Sequence, residues 1–325
     1  MADKKKIIIH IGIDKTGSTS IQSFFRENEK YIKLHRIHYF SKKFGELYHW
    51  KIKYLFSQKK SINWDNELLK NKETKEDIKI NLSKEIEENI EHNDIFILSH
   101  EDICMLDLED FENLKTFFSK YFDLIIPIIY IREYVSYAIS KKTHKLKTLF
   151  GSDKHFYKNI PLHDYSLILN NLQICFKNFK IGIFDKEELL NQNIIEDFLF
   201  KCDLIDILND NRIKKKLYIN KNLNEKSIIH LFFFNKLRKY CNSDFLKKYI
   251  NYLDKDKGQG IQLNQEQVKL IKDRAFEYEN LLYEKFSIKF KNYEKYKTYT
   301  FSNINLFKGF FSFITSIILV KLKKD

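Results

Sequence analysis

The sequence predicts an α/β fold: a mostly parallel central sheet flanked by helices, with a helical C-terminal extension. Two observations lead there. Three short runs, residues 7–11, 94–99 and 124–131, are almost continuously apolar rather than alternating, the pattern of strands covered on both faces. Segments with helical spacing of apolar residues separate them, and strands alternating with helices build parallel sheets.

Residues 7–11 (IIIHI) read as a buried strand stopped by Gly12. Residues 18–34 read as the next helix, with Ile21, Phe24, Phe25, Tyr31 and Ile32 on or near one face. A second strand follows at 37–40, a helix at 49–56, and a charged amphipathic helix at 72–91. The third strand, 94–99, ends in His100 and Glu101. Residues 108–121 are helical, and 124–131 (LIIPIIYI) is a strand running straight into Arg132. A helix over 135–148, a looser region through Pro161, a helix over 164–176, a strand over 179–184 and a helix over 186–200 complete the sheet region. Beyond about residue 204 the chain reads as helical, over 224–240, 243–253 and 264–286, with a glycine-bearing break, DKDKGQG. With 2 prolines and no linker-like stretch, the expectation is one domain over 1–305. Its sheet core spans about 5–205 and its helical part about 206–305, followed by a tail at 306–325.

A chain of 325 residues with 43% hydrophobic and 15% aromatic content can bury a full core. Its 57 basic against 44 acidic residues, a net charge of +13, favour anionic partners. No Arg/Lys-rich arm or basic–aromatic repeat points to nucleic acid. The 4 cysteines form no CxxC pair, which argues against a zinc site or disulfide scaffold and suits buried thiols in a reducing compartment. The basic N-terminus does not read as a signal peptide, because its apolar run ends at once in a glycine loop. The expected location is cytoplasmic, with the inner face of the membrane as an alternative. That alternative comes from the tail, where FFSFITSIILV precedes KLKKD. The run is too short to span a bilayer, which takes about 20 residues. A helix docked on the domain is preferred over a membrane-surface contact from Phe310 to Lys324.

The stretch HIGIDKTGSTSIQ carries the chemistry. Gly12 and Gly17 let a backbone approach a ligand closely, and the amides around Gly17–Thr19 open a helix, where an anion is favoured. Thr16, Ser18, Thr19 and Ser20 add hydroxyls. A nucleoside triphosphate loop has the form GxxxxGK[ST]. Here Ser18 occupies the lysine position and the lysine is Lys15, two residues ahead of the second glycine. No later strand ends in the aspartate expected to organise magnesium. Arg132, at a strand end, can bind a phosphate bidentately, and Ser140 follows eight residues on, about two helical turns.

Together these elements resemble the sulfotransferases that use 3′-phosphoadenosine 5′-phosphosulfate (PAPS), most nearly the bacterial members acting on saccharides. HIGIDKTGSTSIQ is similar to that family's 5′-phosphosulfate loop and IIYIREYVSYAIS to its 3′-phosphate element. The resemblance implies a P-loop NTPase-like sulfotransferase architecture, with PAPS as co-substrate and no metal. Lys15, Thr16, Gly17, Ser18, Thr19 and Ser20 would hold the 5′ end, and Arg132 and Ser140 the 3′-phosphate. Glu133 departs from the Asn-Pro or Asp-Pro that members often carry after the arginine.

Sulfuryl transfer needs a cation at the departing oxygen and a base for the acceptor's proton. Lys15 is the candidate cation. Glu101 is the preferred base by resemblance to a Ser-Ser-Glu-like ending in bacterial relatives, with His100 and His49 as alternatives; His10, inside a strand, reads as structural. Lys257 and Gly258, in the late break, read as a lid over the nucleotide. The implied acceptor is a hydroxyl of a cell-surface saccharide or its precursor. The rival readings are a P-loop kinase with a degenerate loop and a non-catalytic polyanion- or membrane-surface-binding protein.

Overall fold

The computed structural model describes residues 4–45, 49–58, 73–147, 159–215, 230 and 263–291. The chain sorts into two compact units. One comprises Met1–Arg132 and Asp164–Tyr218, the other Glu133–His163 and Ile219–Asp325.

In the first unit, β1 (Lys6–Ile11) enters the glycine loop and then α1 (Ser18–Glu27). One further turn precedes β2 (Ile37–Tyr39). The helices α2 (Trp50–Phe56) and α3 (Lys75–Asn89) lead to β3 (Ile95–His100), and α4 (Leu108–Phe118) leads to β4 (Leu124–Ile131). The next helix, α5 (Tyr134–Lys147), belongs to the second unit. The first resumes with α6 (Tyr165–Cys175), β5 (Lys180–Ile183) and α7 (Ile194–Lys201).

All five strands pair in parallel, in the order β2-β3-β1-β4-β5. The chain builds one side of β1 through β2 and β3, then crosses to β4 and β5. Strand order therefore reverses at β1, and the carboxyl end of β1 is a topological switch point, where open α/β sheets bind ligands.

Both faces of the sheet are covered, which is why its strands read as unbroken apolar runs. On one face Ile8, Ile97 and Ile128 join Ile21, Phe24 and Phe25 of α1 and Ile195 and Phe198 of α7 in a single cluster. The alternate strand residues Ile7, Ile9, Leu98 and Ile129 are equally buried. Between β4 and β5 only a glycine fits at position 182. A side-chain carbon there would stand 2.3 Å from the ring of Tyr130. The Tyr130 hydroxyl donates to Asp197 on α7 at 2.6 Å, and Lys201 pairs with the same carboxylate at 2.8 Å.

Capping residues set the helix limits more tightly than apolar spacing does. Thr74 with Asp77 and Asp107 with Asp110 form capping boxes that start α3 and α4. The largest departure from expectation is the helix predicted over 186–200. Asn191 and Gln192 take left-handed φ of 49° and 56°. Asn193 then caps a new helix by accepting the amide of Ile195 at 2.9 Å, so α7 holds only its last turns.

The second unit pairs α5 with α8 (Gln265–Phe286), which Asn264 and Gln267 start with a third capping box. Tyr134 is buried, its ring centroid 6.2 Å from that of Tyr278 and 6.1 Å from that of Phe290. Arg274 donates to the carbonyl of Ile160 at 2.7 Å. This packing groups α5 with α8 in the second unit. The helices expected at 224–240 and 243–253, the Lys257–Gly258 break and the tail at 306–325 lie outside the described residues. Among the described residues no helix is long and apolar enough to cross a membrane.

Candidate anion site at the carboxyl end of β1

The loop after β1 is shaped by two left-handed residues, Lys15 at φ 67° and Gly17 at φ 85°. Gly17 is the N-cap of α1 and brings no side-chain cap. The opening amides of a helix have no intrahelical acceptor, so this helix start suits an anion. The hydroxyls differ in their surroundings. Thr16 is fully buried and donates to the carbonyl of Ile13 at 2.6 Å, with Ser18 reaching the same oxygen at 3.4 Å. They tie the loop to itself. Ser20 is buried too, and Thr19 is the exposed hydroxyl of the four.

Gly12 is required by a close neighbour. A side-chain carbon on it would lie 2.7 Å from the Cα of Glu101. Its amide donates to the carbonyl of His100 at 3.0 Å. Glu101, half-buried, opens the 3-10 turn Glu101–Met105 that follows β3. Adjacent parallel strands thus deliver the loop and the preferred base to one edge of the sheet.

Arg132 leaves the end of β4 and donates through one Nη to the carbonyl of Lys15 at 2.6 Å. Its guanidinium carbon lies 5.2 Å from the ring centroid of Phe184, the residue that follows β5. Phe184 also explains Gly17, where a side-chain carbon would meet its ring at 2.7 Å. Ser140 lies half-buried on α5, in the second unit. Glu133 caps that helix: its carboxylate accepts the amide of Ser136 at 2.7 Å and also that of Val135. It thereby fixes the first turn of α5.

The three histidines near β3 separate by environment. His49 is fully buried between two backbone partners. Its Nδ1 accepts the amide of Ser99 at 3.0 Å, which leaves Nε2 to donate to the carbonyl of Phe40 at 3.0 Å. Both ring nitrogens are thus engaged by the backbone. His10 and Ser99 share a hydrogen bond of 2.7 Å, and Gln22 donates to the same Ser99 hydroxyl at 3.2 Å. His100 is 2% exposed, with Nε2 3.7 Å from Asp102. Burial lowers all three imidazoles to about 3, aided at His49 by the Arg26 charge and at His100 by the Lys53 charge. Imidazoles so weakly basic are poor proton acceptors near neutral pH.

Sequence reasoning missed Phe184 and the Ser99 network. Phe184 carries no charge, and the strand predicted over 179–184 takes it in as its last residue, whereas β5 ends at Ile183. A groove of about 380 Å³ between α2, α3 and α4, with Lys75, Lys79 and Lys120 in its wall, contains none of the predicted site residues. No family model, curated protein or solved structure matches the chain.

Proposed function

We propose that the chain transfers a sulfonate from PAPS to an acceptor hydroxyl, the acceptor being a saccharide or its precursor. The observation that carries this reading is the hydrogen bond from Arg132 to the Lys15 carbonyl. It joins the β1 loop and the end of β4 at the switch point, the arrangement a nucleotide with phosphates at both ends requires. An uncapped helix start, a lysine beside it and an arginine on the next strand fit the anionic groups of such a nucleotide.

In the proposed reaction the acceptor oxygen forms a bond to sulfur while the bond from sulfur to the bridging phosphate oxygen breaks. The acceptor's proton passes to the Glu101 carboxylate. The Lys15 ammonium neutralises the charge that develops on the departing oxygen, as cationic clamps do in phosphoryl transfer. Serine at position 18 in place of the usual lysine favours this reading over the kinase alternative.

Nucleotide titration against thermal unfolding tests the proposal. Stabilisation by adenosine 3′,5′-bisphosphate but not by ATP–magnesium is expected. Stabilisation by ATP–magnesium alone would overturn it.

A further inference from the structure

We infer that Arg132 is a positioning residue for the anion loop: its guanidinium holds the Lys15 carbonyl and so fixes the left-handed backbone there, whether or not a ligand carries a second phosphate. The inference rests on the sulfotransferase reading and refines it, since resemblance gives Arg132 only the 3′-phosphate.

Lys15 has φ 67°, and a lysine lacks the short polar side chain with which Asn or Asp compensates a left-handed backbone locally. Such a conformation persists where neighbours hold it. Arg132 is such a neighbour, through a charge-assisted bond of 2.6 Å. Arg132 is itself fixed: Phe184 covers its guanidinium at 5.2 Å, and the Tyr165 hydroxyl donates to its carbonyl at 2.8 Å. Phe184 in turn packs against Gly17, the other left-handed residue of the loop. Adjacent strand ends thus bracket the loop at both of its special positions.

In a trans peptide the carbonyl of one residue fixes the direction of the next amide. Holding the Lys15 carbonyl therefore orients the Thr16 amide, one of the loop's donors.

The test compares two ligands on the full chain, adenosine 5′-monophosphate and adenosine 3′,5′-bisphosphate, by calorimetry. If Arg132 positions the loop, Arg132→Gln weakens both by a similar factor, roughly ten- to a hundredfold. Arg132→Lys, which keeps one donor and the charge, recovers part of the loss for both. If Arg132 serves only the 3′-phosphate, the monophosphate binds the Arg132→Gln and Arg132→Lys proteins as it binds the parent, which overturns the inference. Hydrogen exchange in the ligand-free proteins gives an independent arm. Faster exchange at residues 13–19 with β1 still protected supports the positioning role, and unchanged exchange overturns it. If the parent protein binds neither nucleotide, the sulfotransferase reading falls while the exchange result still decides this one.

Discussion

Gly12 and Glu101 meet backbone to backbone: a side-chain carbon on Gly12 would stand 2.7 Å from the Glu101 Cα and 3.1 Å from its nitrogen. The glycine that appears in sequence to belong to a ligand cradle is the place where β3's exit turn rests on β1's loop. Gly12→Ala is expected to cost about 1–3 kcal/mol of stability, as overpacked sites do. It should also reduce turnover, because relief of the clash displaces Glu101. Urea midpoints and kcat, measured together, check this; an alanine variant with parental values for both contradicts the contact.

Lys15 separates stability from activity. A left-handed backbone costs a non-glycine residue about 1–2 kcal/mol, and Lys15 adopts one. Lys15→Gly is therefore expected to keep or slightly raise the melting temperature, whereas Lys15→Ala does not raise it. Both should lose roughly 10²–10³ in kcat, the scale for removing one group that stabilises developing charge. Thermal scans beside sulfonate-transfer rates provide the comparison.

Glu101 is expected to matter more to the chemistry than His100. Glu101→Gln removes the proton acceptor and should lower kcat about 10²–10⁴-fold with little change in nucleotide affinity. His100→Gln, at a buried imidazole already neutral, should act mainly through stability. A larger kcat loss for His100→Gln at parental stability would reverse the assignment.

Acid should destabilise the fold through its buried imidazoles. His10, His49 and His100 bind a proton near pH 6.5 when unfolded but only near pH 3 in the fold. Between those values the unfolded state holds more protons, so stability falls as pH drops from about 6.5 toward 3 and is fully present above 6.5. Each group contributes at most about 1.4 kcal/mol per pH unit. His49→Gln should flatten the slope by up to one proton. Urea unfolding from pH 7 to pH 4 measures it.

Much of the sheet was legible because strands buried on both faces announce themselves as apolar runs; β4 is found at its predicted limits, Leu124–Ile131. The segment before α7 was misread because its apolar spacing continues through NQNIIEDFLF, while the break lies in the backbone of Asn191 and Gln192. At the site, charge at a strand end singled out Glu101 and Arg132. Phe184, uncharged, gave no such mark. The role of His49 was hidden for a different reason: its partners Phe40 and Ser99 are brought to it by the pairing of β2 with β3. Sequence spacing does not encode that encounter.

The central claim is that the β1 loop and Arg132 hold a phosphosulfate donor. Its most direct measurement is mass-spectrometric turnover with PAPS and a panel of saccharide acceptors. The account predicts an acceptor that gains the mass of one sulfonate group as adenosine 3′,5′-bisphosphate appears in equal amount, both lost in Lys15→Ala. PAPS left intact with every acceptor, together with phosphate transfer from ATP to the same panel, would contradict it.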